Sequence, residues 1–326
     1  MIADTTRALG RIAASAGRRV PLPGALLGRR ERLDLDGKVV FVTGAARGLG
    51  AEVARQAYAK GAYVSLVGRR LHTLEELAAQ LGERAAAFEA DVTDFDALCR
   101  AAEDTVERFG CIDVTVANAG VAPPADTVMT IDPEAFERTV DIDLLGQWRT
   151  IRATLPSITE RQGHILVIAS IYAFFNGALS ASYAVSKAGI EQLTRAVRVE
   201  LVHHGATAGV AYLGFVETDL AANVFAQEQV DEARKTAPSW FTKAIPVEQA
   251  GRVLIDGIER RAGRVGAPGW VLPMLAMRGL TTTLMDEAML RNRRLSQAIA
   301  RAEHAKQRQA APTPAPPAGT AGETRT

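Results

Sequence analysis

The sequence predicts an α/β protein built on a doubly wound parallel sheet with helices on both faces. Seven short apolar runs alternate with stretches of helical periodicity between residues 36 and 270. Most of these runs are almost continuously apolar, which is typical of parallel strands that are covered on both faces. Because strands that alternate with helices of ten or more residues form βαβ units, we expect one sheet of about seven strands.

Each element follows from its own run of residues. The first strand is predicted in KVVFVTG, and GLGAEVARQAYAKGA follows with helical periodicity. The second, third and fourth strands are predicted in YVSLVG, AAAFEADV and CIDVTVANAG, with LHTLEELAAQLG and DFDALCRAAEDTVERFG as the helices between them. A long helix from Pro133 to about Glu160 precedes the fifth strand, GHILVIAS. After the next helix come the sixth strand, TAGVAYLG, a helix near 247–261 and a weak last strand, GRVGAPGW.

The two ends of the chain differ from this regular part. Residues 1–35 are rich in arginine and contain no continuous apolar core of a secretory signal. We interpret them as a partly ordered arm in preference to a membrane-surface or partner-binding helix. Residues 271–309 are predicted to be a helical extension, apolar at first and basic later. Residues 310–326 are rich in Pro, Ala, Gly and Thr, which predicts a disordered tail.

Composition excludes several functional classes. The formal net charge of +1 provides no overall attraction to nucleic acid. No run of about 18 apolar residues predicts a membrane-spanning helix. The two cysteines, Cys99 and Cys111, have neither metal-ligand spacing nor a disulfide pattern. We therefore expect a cytoplasmic protein with free thiols and no metal.

A glycine-rich turn joins the first strand to the first helix. The stretch TGAARGLG allows a tight turn and close backbone approach to a pyrophosphate at a helix N-terminus. Its spacing, G-x-x-x-G-x-G, differs from the commoner G-x-G-x-x-G. Glycines in such a turn can also be purely structural. The residues predicted to contact the cofactor here are Gly44, Ala46, Arg47, Gly48, Leu49 and Gly50.

The end of the second strand bears on cofactor choice. An acidic residue there would bind the ribose 2′-hydroxyl of NAD, whereas arginine accommodates a 2′-phosphate. The strand ends in VGRR, and Arg69, with Arg47 nearby, favours NADP(H) over NAD(H). The alternative is that they are solvated surface arginines. Asp91 and Val92, after the third strand, are predicted at the adenine edge, although aspartate is also common in such turns.

Lys187 follows Tyr183 at position i+4 of a predicted helix, so the two side chains lie on one helix face. A phenol beside an ammonium is a candidate acid/base pair, but the same spacing also occurs by chance. Ser170 lies thirteen residues before the tyrosine, at the end of a predicted strand.

These features together resemble the short-chain dehydrogenase/reductase family, in its single-domain Rossmann-like form. The resemblance covers residues 36–270 and depends on TGAARGLG, DVTD, NAG, IAS, YAVSK and GFVETDL. It implies that Tyr183 is the general acid/base, that Lys187 favours the phenolate and holds the nicotinamide ribose, and that Ser170 binds the substrate oxygen. It also implies the interconversion of a ketone or aldehyde with an alcohol by a homo-oligomer (dimer or tetramer), and the arginines described above favour NADP(H) as the cofactor.

The resemblance assigns further residues to the cofactor. Those expected to wall the cleft or contact the nicotinamide end are Asn118, Ala119, Gly120, Gly214, Val216 and Thr218. Two positions depart from the family pattern. Asp143, in DIDLLG, stands where the family usually has an asparagine that anchors a relay water, and Leu213 replaces a usual proline. Asp143 could weaken the lysine, serve the relay itself, or have no role.

The substrate is predicted to be a lipophilic ketone or secondary alcohol, such as a steroid, terpenoid or acyl derivative. Aromatic residues after a strand also belong to cores, which is the alternative. The extension beyond residue 270 is expected to cap the pocket, touch a membrane surface or form an oligomer contact. The predicted pocket residues are Tyr172, Phe174, Phe175, Phe215, Trp240 and Phe241.

Two other functions remain open. A non-redox epimerase or dehydratase would use the same scaffold, although little chain follows the tyrosine helix to form a sugar-nucleotide domain. A cofactor-binding regulator with weakened catalysis is the second, and Asp143 and Leu213 motivate it. A nucleic-acid binder is excluded, because no basic stripe with interleaved aromatic residues occurs.

Overall fold

A computed structural model describes residues 32–122, 125–227, 230–231, 234–235 and 238–310. It confirms the predicted fold, a seven-stranded parallel sheet in the order β3-β2-β1-β4-β5-β6-β7. The direction of winding reverses between β1 and β4, and ligands bind at the carboxyl ends of strands at such a point. The strands are β1 (Val39–Thr43), β2 (Tyr63–Gly68), β3 (Ala85–Glu89), β4 (Val114–Ala117), β5 (His164–Ile168), β6 (Thr207–Leu213) and β7 (Arg264–Ala267).

Helices cover both faces of the sheet. The first six are α1 (Gly48–Ala59), α2 (Leu71–Leu81), α3 (Phe95–Phe109), α4 (Pro133–Val140), α5 (Gln147–Glu160) and α6 (Ala181–Glu200). Those that follow β6 are α7 (Asp219–Phe225), α8 (Ser239–Thr242), α9 (Val247–Glu259), α10 (Val271–Ala276), α11 (Arg278–Leu290) and α12 (Arg293–Ala310).

Successive side chains of each strand point to opposite faces of the sheet, so the core consists of two layers. In β1, Val40 and Val42 belong to one apolar cluster, with α1 and α9, and Phe41 belongs to the other, with α5 and α6. All three side chains are fully buried. Burial of both strand faces explains why the strands could be recognised as continuous apolar runs.

The predicted long helix from Pro133 to Glu160 is interrupted by a single π-helical segment. Residues Asp141–Gly146 form this segment between α4 and α5. A π turn inserts one extra residue per turn and is frequent at functional sites. Asp143 lies inside it, with its side chain completely buried.

The helices α10–α12 follow the last strand and pack on the rest of the domain. Leu295, Ala298 and Ala302 of α12 are buried. None of the helices in the described part of the chain has the length and apolar composition needed to cross a membrane. At the other end, the Leu33 N–H donates to the Glu259 carbonyl (2.7 Å). The expectations for arm residues 1–31 and tail residues 311–326 lie outside the described residues.

Candidate active site

A large cleft opens at the carboxyl ends of the strands, where the sheet reverses its winding. Its volume is about 920 Å³. The glycine turn, the ends of β4 and β5, the tyrosine helix α6 and the segment after β6 all contribute to its lining. Of the site residues that the sequence predicts, all but Phe174 line this cleft.

The glycine turn has the backbone that its sequence predicts. Gly44 and Gly48 have φ angles of +69° and +56°. These values lie in the left-handed region, which residues with a side chain rarely adopt. A Cβ atom on Gly50 would collide with the Gly44 carbonyl oxygen and lie 2.6 Å from Asn118 Nδ2. Helix α1 begins at Gly48 without a side-chain cap, so its first N–H groups remain available to an anion.

Asn118 connects this turn to the end of β4. Its Nδ2 donates to the Thr43 carbonyl (2.9 Å), and its own N–H donates to Thr43 Oγ1 (3.2 Å). Thr218, after β6, faces the turn, because a Cβ atom on Gly48 would lie 3.6 Å from Thr218 Cγ2. The two sides of the cleft therefore approach each other at the glycine turn.

The two arginines predicted to select the cofactor line the same end of the cleft. Arg69 lies 3.6 Å from Asp91 and Arg47 lies 3.7 Å from Asp219, measured between side-chain nitrogen and oxygen atoms. Both guanidinium groups are more than half exposed, so these ion pairs are weak and leave the cations free to meet a further anion. Asp91 also accepts from the Thr93 N–H and hydroxyl (2.9 Å each).

Tyr183, Lys187 and Ser170 converge in the cleft. Lys187 Nζ lies 5.1 Å from the centre of the Tyr183 ring, and Tyr172 packs against that ring edge-on at 5.7 Å. The Ser170 hydroxyl donates to the Leu213 carbonyl (3.3 Å) and accepts from the Tyr172 N–H (3.3 Å). The strand ends of β5 and β6 thus fix the serine opposite the helix that carries the tyrosine.

Asp143 forms a buried ion pair with Lys187. Its Oδ2 lies 3.2 Å from Lys187 Nζ, and its Oδ1 accepts from the Val121 N–H (2.7 Å). Lys187 Nζ also donates to the Ile168 carbonyl (3.4 Å). The sequence left three roles open for this acid. The direct contact with Lys187 favours the first of them, in which Asp143 weakens the effect of the lysine on the phenol.

The pKa of Tyr183 differs from the simple expectation that Lys187 brings it toward neutral pH. Burial is the largest cause and raises the pKa of the phenol, and the Asp143 carboxylate raises it further. Lys187 and a hydrogen bond with Ser170 act in the opposite direction but do not outweigh burial. For Lys187, burial disfavours the ammonium, but Asp143 and Tyr183 favour it and raise the pKa. Both shifts therefore favour a Tyr183 that keeps its phenolic proton and a Lys187 that keeps its charge.

The far end of the cleft is apolar. Tyr172, Phe175, Phe215, Trp240 and Phe241 line it, as expected from the sequence. Phe174 does not, since it packs in the core against Tyr212 with ring centres 6.0 Å apart. The reason is geometric, because Phe174 and Phe175 follow a single 3₁₀ turn and point to different neighbours.

Sequence reasoning missed part of this lining. Helices α10, α11 and α12, with the turn between the last two, contribute the residues Met274, Met285, Ala288, Met289, Asn292 and Leu295. A cap over the pocket was one of three roles considered for this stretch, but its apolar residues gave no signal that separates a cap from an oligomer contact.

Comparison with known proteins identifies the family to which this chain belongs. Residues 38–229, more than half of the chain, match the family model described as short chain dehydrogenase. This protein is a short-chain dehydrogenase/reductase. As a member of that family it is an oxidoreductase that uses a nicotinamide cofactor.

Individual members of the family are similar over most of the domain. An uncharacterized oxidoreductase of Staphylococcus saprophyticus is 34% identical over 196 residues, covering 59% of this chain and 83% of its own. A fatty acyl-CoA reductase of Acinetobacter baylyi is 28% identical over 242 residues, with 72% and 77% covered. The structure of a short-chain dehydrogenase/reductase from Mycobacterium marinum superposes with a TM-score of 0.64 at 25% identity, covering 71% of this chain and 93% of that one.

The residues of this short-chain dehydrogenase fit a dinucleotide. The uncapped start of α1 and the glycines that admit no Cβ atom form a cradle for a pyrophosphate. Lys187 and Tyr183 line the same cleft. When bound, the nicotinamide supplies or accepts the hydride.

Proposed function

We propose that the protein interconverts a ketone or aldehyde with an alcohol, using NADP(H) and Tyr183 as general acid/base. The observation that carries the proposal is the convergence of Tyr183, Lys187 and Ser170 in the cleft that begins at the glycine turn. In reduction, the substrate carbon gains a hydride and its oxygen gains the phenolic proton of Tyr183. In oxidation, both transfers are reversed.

Each of the three residues has a distinct task in this proposal. The Ser170 hydroxyl orients the substrate oxygen toward the phenol, because the Leu213 carbonyl and the Tyr172 N–H fix its position. Lys187 stabilises the phenolate that remains after proton donation. Since burial raises the pKa of Tyr183, the phenol holds its proton at neutral pH and is ready to protonate a carbonyl oxygen.

The preference for NADP(H) is supported by Arg47 and Arg69. Both lie at the glycine-turn end of the cleft, and β2 ends without an acidic residue that would bind a ribose 2′-hydroxyl. We expect turnover with NADPH to exceed turnover with NADH in steady-state assays that follow nicotinamide absorbance. Activity with NADH alone would contradict the assignment of the two arginines.

The proposal further includes a lipophilic substrate and a homo-oligomer in the cytoplasm. Aromatic and aliphatic side chains dominate the far end of the cleft, which suits an apolar substrate. The fatty acyl-CoA reductase relative acts on a molecule with such a chain. Exposed apolar residues on α5 and α6, among them Trp148, Val185 and Val199, provide a surface for a second copy.

The direct test is Tyr183→Phe. This change removes the hydroxyl and retains the ring, so we expect turnover to fall by roughly 10²–10⁴-fold while the Kd for NADPH stays nearly unchanged. Steady-state assays with a panel of lipophilic ketones and aldehydes, together with NADPH titration, measure both quantities. Substantial residual turnover would remove Tyr183 from the mechanism.

A second candidate function is a cofactor-binding regulator. The ion pair between Asp143 and Lys187 favours it, because an ammonium paired with a carboxylate stabilises a phenolate less well. NADPH binding by the wild-type protein without reduction of any compound in the same panel would support this function.

A further inference from the structure

The helices that follow the last strand form one wall of the cleft. Met274 lies on α10, Met285 and Met289 on α11, and Leu295 on α12, and all four line the same space as Tyr183. Four of the six methionines of the chain occur between residues 274 and 289. Methionine is unbranched and adjusts its shape, so a wall of methionines accommodates a flexible ligand.

Polar ties attach this wall to the parts of the domain that carry the catalytic residues. Arg278 at the start of α11 pairs with Glu191 of α6 at 2.7 Å, and Glu191 is almost fully buried. Asn176, in the loop after Ser170, donates to Asp286 of α11 (3.0 Å). These contacts hold α11 at a set distance from the tyrosine helix and from the serine loop.

A third tie involves α12. Lys306 lies 3.2 Å from Asp126, a buried residue in the segment that leads from β4 to α4. The segment bridges to Ser180, immediately before α6. The wall is thereby connected to both sides of the cleft, and its apolar residues become a permanent part of the lining.

The polar side chains at this end of the cleft are already bonded within the protein. Asn292 accepts from the N–H groups of Arg294 and Leu295, at 3.1 and 3.2 Å. Asn176 donates to Asp286 and accepts from a backbone N–H. Arg234 pairs with Asp231 at 2.9 Å. Among the described residues, a ligand that reaches this end therefore meets mainly apolar atoms, and the polar groups named here already have partners.

We infer that α10–α12 form the binding site for a flexible aliphatic chain of the substrate, whose carbonyl or alcohol carbon lies at Tyr183. This inference depends on the proposed function and names the substrate class, a ketone, aldehyde or secondary alcohol with a long alkyl or acyl chain. The aromatic residues near the reacting carbon and the methionines farther along would contact successive parts of that chain.

The test compares 2-butanone with 2-dodecanone as substrates of the full-length protein with NADPH. Met285→Ser and Met289→Ser replace apolar atoms of the wall by a hydroxyl. We expect kcat/KM for 2-dodecanone to fall about tenfold in each variant, since the lost contact with the chain amounts to one or two methylene groups. For 2-butanone, which lacks the long alkyl chain, we expect a much smaller loss.

Leu284→Ser is the matched control, because Leu284 lies on the same helix with 61% of its surface exposed. It has the same change in helix propensity and touches no substrate, so neither ketone should be affected. Equal losses for the short and the long ketone in the methionine variants would overturn the inference. Turnover of a rigid steroid ketone with rejection of 2-dodecanone would also overturn it.

A binding measurement separates this inference from the proposed function. Titration of the protein with 2-dodecanone requires no turnover. It can be followed by the fluorescence of Trp240, which lines the cleft, and of Trp270, whose ring packs against Trp240 at 5.6 Å. If no ketone is reduced but 2-dodecanone binds and Met289→Ser weakens that binding, the chain site is supported and the proposed reaction is wrong. If ketones are reduced but 2-dodecanone binds the variant and the wild type equally, the reaction is supported and the chain site is wrong.

Discussion

At the scale of single residues, Asp143 acts electrostatically on both members of the acid/base pair, Tyr183 and Lys187. Its carboxylate favours the charged form of Lys187 and disfavours a phenolate at Tyr183, so it opposes the lysine at the phenol. An asparagine in the same place would keep the Oδ1 contact with the Val121 N–H and lose the charge. The two effects can therefore be separated by one substitution.

We predict that Asp143→Asn shifts the pH dependence of both reaction directions to lower pH. Removing the carboxylate removes one of the causes that raise the pKa of Tyr183, so the phenol loses its proton at lower pH. Alcohol oxidation needs the phenolate and rises through this pKa as pH increases, whereas carbonyl reduction needs the phenol and falls through it. Profiles of kcat/KM against pH in the two directions measure the shift.

Asp141→Asn provides the control for this prediction. Asp141 lies on the same π turn but pairs with Arg149 at 2.8 Å, away from the lysine. Its substitution should leave both pH profiles in place. If the pH profiles of the wild type and Asp143→Asn coincide, the carboxylate does not act on the phenol. If Asp143→Asn loses turnover by several orders of magnitude, the acid has its own catalytic role.

At the scale of elements, the strands and the glycine turn could be predicted because their causes are local. Buried parallel strands are apolar throughout, and the turn before α1 needs glycines where a Cβ atom would collide. The π turn at Asp141–Gly146 could not be predicted, since its residues also suit a regular helix. The assignment of Phe174 to the pocket was wrong because adjacent aromatic residues differ only in the direction that tertiary packing imposes.

Two helical glycines, Gly50 and Gly279, can be substituted to test whether the glycine turn binds the phosphates of the cofactor. Gly50→Ala places a methyl group against the Gly44 carbonyl and Asn118, so we predict at least about tenfold weaker NADPH binding, equivalent to about 1.4 kcal/mol. Gly279→Ala, in α11, meets nothing within 4 Å and should stabilise the protein by roughly 0.5–1 kcal/mol. Thermal unfolding with and without NADPH measures both effects. An equal NADPH-induced rise in Tm for wild type and Gly50→Ala would contradict the proposed cradle.

At the scale of the whole molecule, segments distant in sequence enclose one cleft. Lys306 reaches back to Asp126, and Arg278 to Glu191, across the site that Tyr183 occupies. These long-range ties carry no periodic signal in the sequence, which is why the position of α10–α12 could not be predicted from it. If the ties hold as described, the three helices should unfold together with the sheet and not before it.

We predict that Lys306→Met destabilises the protein by roughly 1–3 kcal/mol, because it leaves the buried Asp126 carboxylate without its partner. Arg291→Met is the matched change, since Arg291 pairs with Glu287 on the surface of α11, with side chains 81% and 55% exposed. An exposed pair of this kind contributes at most about 1 kcal/mol, so this variant should unfold like the wild type.

Urea unfolding, followed by circular dichroism and tryptophan fluorescence, gives the two free energies. Coincident curves from the two probes are expected for all three proteins, because Trp240 at the cleft and the helices of the extension belong to one cooperative unit. An early phase of helix loss in the wild type would instead mean that α12 is held loosely, and an unchanged midpoint for Lys306→Met would mean that its contact with Asp126 does not stabilise the fold.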